Sequence, residues 1–411
     1  MKQRYDSYKP SGIDWIGEIP SHWETLTLKQ VSSSIRNGYV GPTKDILVDF
    51  GVPYIQSLHV KDGKICFERG EYYVTSLWGS KHPKIFTNDI VIVQTGDIGQ
   101  VAIIPEEYNG CNCHALIIVV ADYKKIVPSY LSYYLRSDVG KELMLLTKTG
   151  ATLPHLNSGS ICNTQVVLPS IEEQYAMVGW LDEKCSEIDA AIEKVEREIE
   201  LIDELKQSEI SRVVTRGLNP DVPLKQSGID WIGEVPEHWE ISPFKRSLSI
   251  NNGCDYKHVV SENGYPVIGS GGQFAYATEY LYDGEVLLLG RKGTIDKPMH
   301  FKGKFWTVDT MFYAVPNKGV CCRYMYYQAL GFPFDYYSTA TALPSMAASD
   351  LANNPIVVPP LSEQQSIADY LDKKCAEIDG LKEKLVKKRE TLKELRQSII
   401  SEVVTGKRKV I

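Results

Sequence analysis

A chain of 411 residues exceeds the size to which one hydrophobic core usually grows, so two domains are the first expectation. With 43% hydrophobic and 24% charged residues, a longest apolar run at 115–121 that falls far short of a bilayer span, and an opening MKQRYDSYKP too polar for a secretory signal, a cytoplasmic globular protein with no membrane role is expected. The net charge of −7 argues against a uniformly basic DNA-coating protein, and nine cysteines in such a chain point to reduced thiols, not to a disulfide scaffold.

Taken in chain order, the elements expose an internal repeat. Ser11 to Glu24, SGIDWIGEIPSHWE, returns at Ser227 to Glu240 as SGIDWIGEVPEHWE, identical at 12 of 14 positions. Between the first copy and residue 168, Ile90–Val93 and Leu116–Val120 are expected as strands, Asp62-Gly63 as a turn and Pro128–Leu135 as a short helix. A long helix follows, in which Met177, Leu181, Cys185, Ile188, Ile192, Val195, Ile199 and Ile202 recur every three or four residues as a packing seam. Gly217, Asn219 and Pro220 end it. In the second half Glu285–Leu289 is expected as a strand, Asp283-Gly284 as a turn and Arg323–Leu330 as a short helix. After Pro359-Pro360 comes a second long helix, whose seam runs less cleanly through Ile367, Leu371, Cys375, Ile378, Leu381, Leu385, Leu392, Leu395 and Ile399.

The helix starts repeat as well, Leu168-Pro-Ser-Ile-Glu-Glu-Gln174 against Val358-Pro-Pro-Leu-Ser-Glu-Gln364, but the offset between copies has dropped from 216 to 190. About 26 residues are therefore missing from the second globular segment, and between the shared blocks little pairs up. The frame is copied and the filling is not. The chain is expected to be α+β: mixed recognition-type domains at 1–168 and, with a linker, 218–358, each followed by a long helix, 169–217 and 359–411.

A helix of about 40 residues, roughly 60 Å long with one apolar stripe, needs a partner. Residues 171–219 hold 6 basic and 13 acidic side chains, and 361–411 hold 12 and 9. Glu193, Glu196, Glu198, Glu200, Asp203 and Glu204 on one helix against Lys382, Lys384, Lys387, Lys388, Arg389 and Lys393 on the other favour pairing the two together over self-association.

Catalytic motifs are missing from the sequence. There is no GxxxxGK[ST] phosphate loop, and Gly269-Ser-Gly-Gly272 lacks the third glycine of a dinucleotide site. Asn353-Asn-Pro-Ile356 lacks the second proline and aromatic ring of the amino-methyltransferase motif, and Glu204-Leu-Lys206 sits in a charged helix without the Pro-Asp pair of a nuclease. Cys111-x-Cys113 and Cys321-Cys322 lack paired zinc knuckles, so no metal is expected. The histidines do not group along the chain; His22 and His238, at equivalent repeat positions beside Trp23 and Trp239, fit packing or hydrogen bonding better than catalysis.

The repeated GIDWIGE(I/V)PxHW box, the two Glu-Gln helix starts at Glu173-Gln174 and Glu363-Gln364, and the helix ends at Val213-Val-Thr215 and Val403-Val-Thr405 resemble the specificity subunit of type I restriction–modification systems over nearly the whole chain. The resemblance implies two target-recognition domains, each reading half of a bipartite double-stranded DNA site, held apart by an antiparallel pair of helices. It also implies a subunit with no catalysis and no cofactor of its own. Two methylation subunits, which use S-adenosylmethionine, and restriction subunits, which use ATP, would be its partners, with the helices fixing the spacer between half-sites and docking the methylation subunits.

Base or phosphate contacts are expected from polar, glycine-containing loops beside strands. In the first copy these are Asn37 and Tyr39, Gln56 and Ser57, and Gln94, Thr95 and Asp97; in the second, Asn251 and Asn252, Ser270 and Gln273, and Arg291, Lys292 and Thr294. The blocks 92–99 and 288–295 look like one strand–loop element, making Gln94 and Thr95 the counterparts of Arg291 and Lys292. Thr149–Pro154 and Thr339–Pro344 are shared and so expected to be structural or backbone-binding. Against each loop stands the plain alternative of a solvated turn. Against the whole reading stands a coiled-coil scaffold with no DNA readout, or a fused nuclease or methyltransferase, which the missing motifs disfavour.

Overall fold

In the computed structural model, which describes residues 3–149, 155–334 and 344–410, the apolar runs are strands, and their uninterrupted hydrophobicity has a reason. They lie in sheets covered on both faces, so the period-two alternation sends apolar side chains into two cores at once. Contacts divide the chain into two units that do not follow chain order: one joins 1–194 to 388–411, the other is 195–387.

The first unit is built on an antiparallel sheet in the order Val101–Ile103, Ile90–Val93, Leu116–Ala121, Ser32–Asn37. Ile90, Ile92, Ile117 and Val119 face a core shared with Trp23, Tyr130, Met177, Leu181, Ile400 and Val403. Val91, Val93, Leu116 and Ile118 face a second core with Ile55, Ile85, Ile104 and Cys113. A separate four-stranded sheet, in the order Asn112–Cys113, Val52–Ile55, Tyr73–Val74, Leu47–Val48, stands beside it.

The second unit has a seven-stranded sheet, Leu248–Asn252, Met311–Pro316, Tyr282–Gly290, Met299–Thr307, Tyr265–Gly269, Gly272–Ala277, Val260–Ser261, whose first four strands repeat the order of the first unit's main sheet. Leu287 and Leu289 face Trp239, Tyr324, Ile210, Val213 and Leu371, while Val286 and Leu288 face Val267, Phe305 and Trp306. In both units the first of these cores holds the repeated blocks and the second holds residues particular to that copy.

Each unit contains the start of one long helix and the end of the other, the helices being Ile171–Arg216 and Leu361–Val404. Their antiparallel sense is plain in the second unit, where Lys382 pairs with Asp203 and Lys206 with Asp379, both at 2.7 Å, and Tyr370 O–H donates to Glu209 at 2.7 Å. In the first unit Arg396 meets Asp189 at 2.6 Å. Two of these three ion pairs run in the sense expected from the charge asymmetry; Lys206–Asp379 is reversed. In the second seam Leu381 and Leu395 are 52% and 47% exposed and so lie outside it. No helix among the described residues is long and apolar enough to cross a membrane.

The repeated blocks interlock by direct hydrogen bonds. Glu173 accepts from His22 Nε2 at 3.0 Å, from Trp23 Nε1 at 3.4 Å and from the Ser170 backbone at 3.1 Å. Glu363 accepts from His238 Nε2 and Trp239 Nε1, both at 2.9 Å. Burial alone would raise the Glu173 carboxyl, but the bonds from His22, Ser170 and Trp23 outweigh it and hold the group below its usual range. The adjacent glutamines do a different task. Gln174 Oε1 accepts from Val127 N–H at 2.8 Å and Gln364 Oε1 from Cys321 N–H at 2.9 Å, supplying a partner at the N-terminus of the short helices Pro128–Arg136 and Cys322–Ala329. Tyr130 O–H reaches Val167 O and Val404 O, and Tyr324 O–H reaches Val357 O and Val214 O, tying each short helix to the end of a long one. Gly217 and Gly406, at φ +75° and +73°, turn the chain away after each long helix directly against the rings of Trp239 and Trp23. Among the described residues the two Glu-Gln helix starts, the helix ends and the His-Trp pair of the box are thus accounted for by the frame.

One expected turn is absent: Asp283-Gly284 lies inside the strand Tyr282–Gly290, where Gly284 is extended and leaves room for the Tyr282 ring. Asp62-Gly63 is the turn expected, between Val60-Lys61 and Lys64-Ile65. Of the shared stretches at 149–154 and 339–344, residues 150–154 and 339–343 lie outside the described residues.

Candidate nucleic-acid interface

The strand order decides where the loops emerge. In the first unit Val93 pairs with Leu116, and Gly38 N–H donates to Leu116 O at 2.8 Å, so the loops after Asn37 and after Val93 leave from one end of the sheet. The residues just before Leu116 continue into the small sheet, where Ile55 pairs with Cys113 and Ile55 O accepts from His114 N–H. Gln56 and Ser57 follow Ile55 directly, and Tyr39 bridges His114 from the other side. Asn37, Tyr39, Gln56, Ser57 and Gln94 are therefore brought together, with Thr95 and Asp97 exposed on the loop beyond.

Gln94 is 7% exposed, and its Nε2 donates to Asn37 Oδ1 at 2.9 Å. It fastens one loop to the other, and Asp97 accepts from Gln100 Nε2 at 3.0 Å, while Thr95 stands exposed between them. Tyr39 stands in an aromatic group: Trp78 at 5.0 Å, His82 at 5.1 Å and His114 at 6.2 Å between ring centroids, with Trp78 stacked on His82 at 3.7 Å. Burial lowers the His114 pKa, favouring a neutral imidazole. In the sequence His82 and His114 are histidines of one copy only, outside any shared apparatus, and the i, i+4 spacing of Trp78 and His82 is the one signal of this group.

The second unit assembles its loops around residues 307–311. Gly253 N–H donates to Met311 O, Arg291 N–H to Thr310 O, and Val308 N–H to Ile268 O. Asn251 and Asn252 pair with Tyr313 and Phe312 at the strand end. Arg291 is half-buried, its guanidinium 5.8 Å from the Phe312 ring and donating to Asp309 O at 3.3 Å; Lys292 is exposed. Ser270 and Gln273 flank the hairpin turn, with Ser270 Oγ 4.0 Å from where a Gly293 side chain would begin, and Thr294 closes the Arg291 loop. Exposed Phe274, Tyr276 and Tyr280 lie on or just after the same hairpin strand, and Lys304 Nζ sits 4.7 Å from the Tyr280 ring. These aromatics were also not anticipated.

The two loop sets occupy corresponding places. Leu156 N–H donates to Gln94 O and Met346 N–H to Arg291 O, each at 3.0 Å, which supports the pairing of Gln94 with Arg291. Yet 57 residues separate Asn37 from Gln94 where 39 separate Asn252 from Arg291, so most of the length difference falls in this stretch. Neither recognition segment is basic as a whole: residues 24–148 hold 13 basic and 13 acidic side chains, and 240–350 hold 10 and 10.

One group among the described residues could hold a metal ion. Glu285, His300 and Cys322 present ligand atoms within 4.8 Å of one another, but His300 Nε2 already lies 2.7 Å from Glu285, and burial pushes the Cys322 thiol up to about 12.

Known proteins match both units. A family model described as "Type I restriction modification DNA specificity domain" covers residues 20–201 and again 237–388. The type I restriction enzyme MjaVIII specificity subunit of Methanocaldococcus jannaschii is 23% identical over 95% of this chain and 94% of its own. In fold, the chain resembles one solved in work on complex assembly and conformational transition of the type I R-M system, with 18% identity and TM-score 0.74 over 94% of this chain and 98% of that one. It also resembles the HsdS subunit of Thermoanaerobacter tengcongensis, with 18% identity and TM-score 0.51 over the same shares.

Proposed function

The chain belongs to the type I restriction–modification DNA specificity family and is a DNA sequence-specificity subunit, and from that premise we propose that each unit reads one half of a bipartite duplex site through the loops gathered at its sheet end. One observation carries this: the two units share a four-strand core order, Ser32–Asn37, Leu116–Ala121, Ile90–Val93, Val101–Ile103 against Leu248–Asn252, Met311–Pro316, Tyr282–Gly290, Met299–Thr307, and present unrelated loop sets at the same end of it, 37–39 with 94–97 and 251–253 with 291–294, while repeated blocks pack behind. A reader of two half-sites needs that division between constant frame and variable face.

The proposed division of labour leaves bond-making to partners. Two methylation subunits bring S-adenosylmethionine, restriction subunits bring ATP, and this cytoplasmic chain brings the address. The helices set the unread spacer: 46 residues at about 1.5 Å each give roughly 70 Å, close to two turns of duplex. The balanced charge of both recognition segments supports weak DNA binding by the isolated chain, with the partners adding positive charge.

Fluorescence anisotropy on a labelled duplex tests this across a salt series. The assembled complex is expected to lose affinity steeply as salt rises. Absence of duplex binding at every salt concentration, with partners present, would favour a protein scaffold instead.

A further inference from the structure

Because the frame occurs twice, one unit shows what the other does not need. Leu287 pairs with His300 where Ile90 pairs with Ile103, so His300 stands at the place of Ile103. Cys321 gives its N–H to Gln364 where Val127 gives its N–H to Gln174, so Cys322, first in its short helix, stands at the place of Pro128. Both places in the first unit are held by apolar residues. The shared fold therefore asks for neither an imidazole nor a thiol there.

The second unit has both, with a carboxylate beside them. Glu285 lies two residues before Leu287 on the same strand, hence on the same face, and Glu285, His300 and Cys322 bring a carboxylate oxygen, an imidazole nitrogen and a thiol sulfur within 4.8 Å of one another. Two strands and a helix start each contribute one of these atoms. The Cys322 end is buried, and the Glu285 side chain, 39% exposed, faces water. Bond lengths of about 2.0–2.3 Å to a tetrahedral zinc set its ligand atoms roughly 3.3–3.7 Å apart, so the 2.7 Å His300–Glu285 contact opens, and separations of up to 4.8 Å close, by about 1 Å. The His300–Glu285 hydrogen bond and the protonated thiol are what a cation displaces, the thiol proton leaving to water. A set that joins thiolate to imidazole suits zinc and not magnesium or calcium.

We infer that Glu285, His300 and Cys322 form a zinc site peculiar to the second unit, with its fourth position open to water on the Glu285 side. The cation fastens the start of the helix Cys322–Ala329 to the strand pair Tyr282–Gly290 and Met299–Thr307. Through Tyr324, whose O–H reaches Val214 O, that helix is tied in turn to the end of the first long helix. The site steadies the unit and takes no part in bond-making. Fifteen residues separate Glu285 from His300 and 22 separate His300 from Cys322, which is why no paired knuckle marks the three in the sequence.

The test is titration of the untagged full chain, first stripped with a chelator, with Co2+ and then Zn2+. One equivalent of Co2+ is expected to give a thiolate-to-cobalt charge-transfer band in the near ultraviolet and tetrahedral d–d bands in the visible, all lost when Zn2+ is added. Cys322→Ala removes the charge-transfer band. Glu285→Gln, on the exposed rim, weakens binding by about 10-fold or more and keeps the metal-free melting point, which separates a lost ligand from a damaged fold. Cys321→Ser and Cys254→Ser, at the adjacent and the exposed thiol, leave the spectrum unchanged. With free Zn2+ at about 100 times Kd the parent should melt about 5–11 °C higher. Absence of the bands in the parent, a charge-transfer band that survives Cys322→Ala, or parental affinity in Glu285→Gln would each overturn the site, and all leave the DNA-specificity reading intact.

Discussion

Replacing Gln174 by leucine should destabilise the first unit far more than a single side chain near a helix start usually does. The residue is fully buried and makes three hydrogen bonds: Oε1 accepts from Val127 N–H at 2.8 Å, and Nε2 donates to Lys125 O at 3.1 Å and Pro169 O at 3.0 Å. Leucine fills the same volume but leaves one donor and two acceptors facing an apolar group, at about 1–3 kcal/mol for each that water cannot reach. Allowing for partial relaxation, the loss is roughly 3–5 kcal/mol. At about 2–4 °C per kcal/mol for a unit of this size, the melting point should fall by about 6–20 °C. Differential scanning calorimetry is the assay. Glu172→Gln, on the exposed neighbour, is the control and should change little. Gln364→Leu should act in the second unit, where Gln364 takes the N–H of Cys321 and donates to Pro359 O at 2.8 Å. A fall of less than about 2 °C for Gln174→Leu would refute the claim that the repeated glutamine is there to pin the short helix.

Three further outcomes follow from the same geometry. Against burial, which would raise it, hydrogen bonds from His22, Ser170 and Trp23 hold the Glu173 carboxyl below its ordinary range, so its contribution is present at neutral pH and is lost as pH falls through that lowered value; Glu173→Gln should be less stable than the parent by about 1–3 kcal/mol in urea at pH 7, with the gap narrowing as the solution is acidified, and a gap independent of pH would contradict this. Arg291→Ala should relax or weaken the half-site read by the second unit, by about 1–3 kcal/mol if the guanidinium contacts a base, and leave the other half-site unchanged in adenine-methylation maps. Adding about four residues within 217–224 should lengthen the unread spacer while both half-sites persist, whereas an unchanged spacer would count against the helices as a ruler.

The long helices, the duplicated boxes and the central strands were legible because each rests on periodicity or repetition along the chain. The bonds joining the boxes were not: His22 and Glu173 stand 151 residues apart, and spacing carries no information about a contact at that range. The seam of the long helices shows that they pair but not in which sense, which only the family resemblance implied; the structure joins 388–411 to the first domain. Asp283-Gly284 misled because an Asp-Gly pair has the same composition in a turn and in a strand relieved beneath a tyrosine ring. At the candidate interface the loops were located, but the burial of Gln94 and the aromatic group around Tyr39 depend on tertiary neighbours, Asn37 and the short helix bearing Trp78.

The central claim is that each unit reads one half-site. It is tested most directly by mapping methylated adenines genome-wide in cells expressing this chain with its methylation subunits, beside a variant whose residues 244–355 are replaced by the corresponding segment of a relative. The account predicts a two-part motif with a fixed unread spacer in the parent, and a variant that keeps one half-site and the spacer and changes the other half-site. A motif that is continuous, or one in which both halves change together, would contradict it.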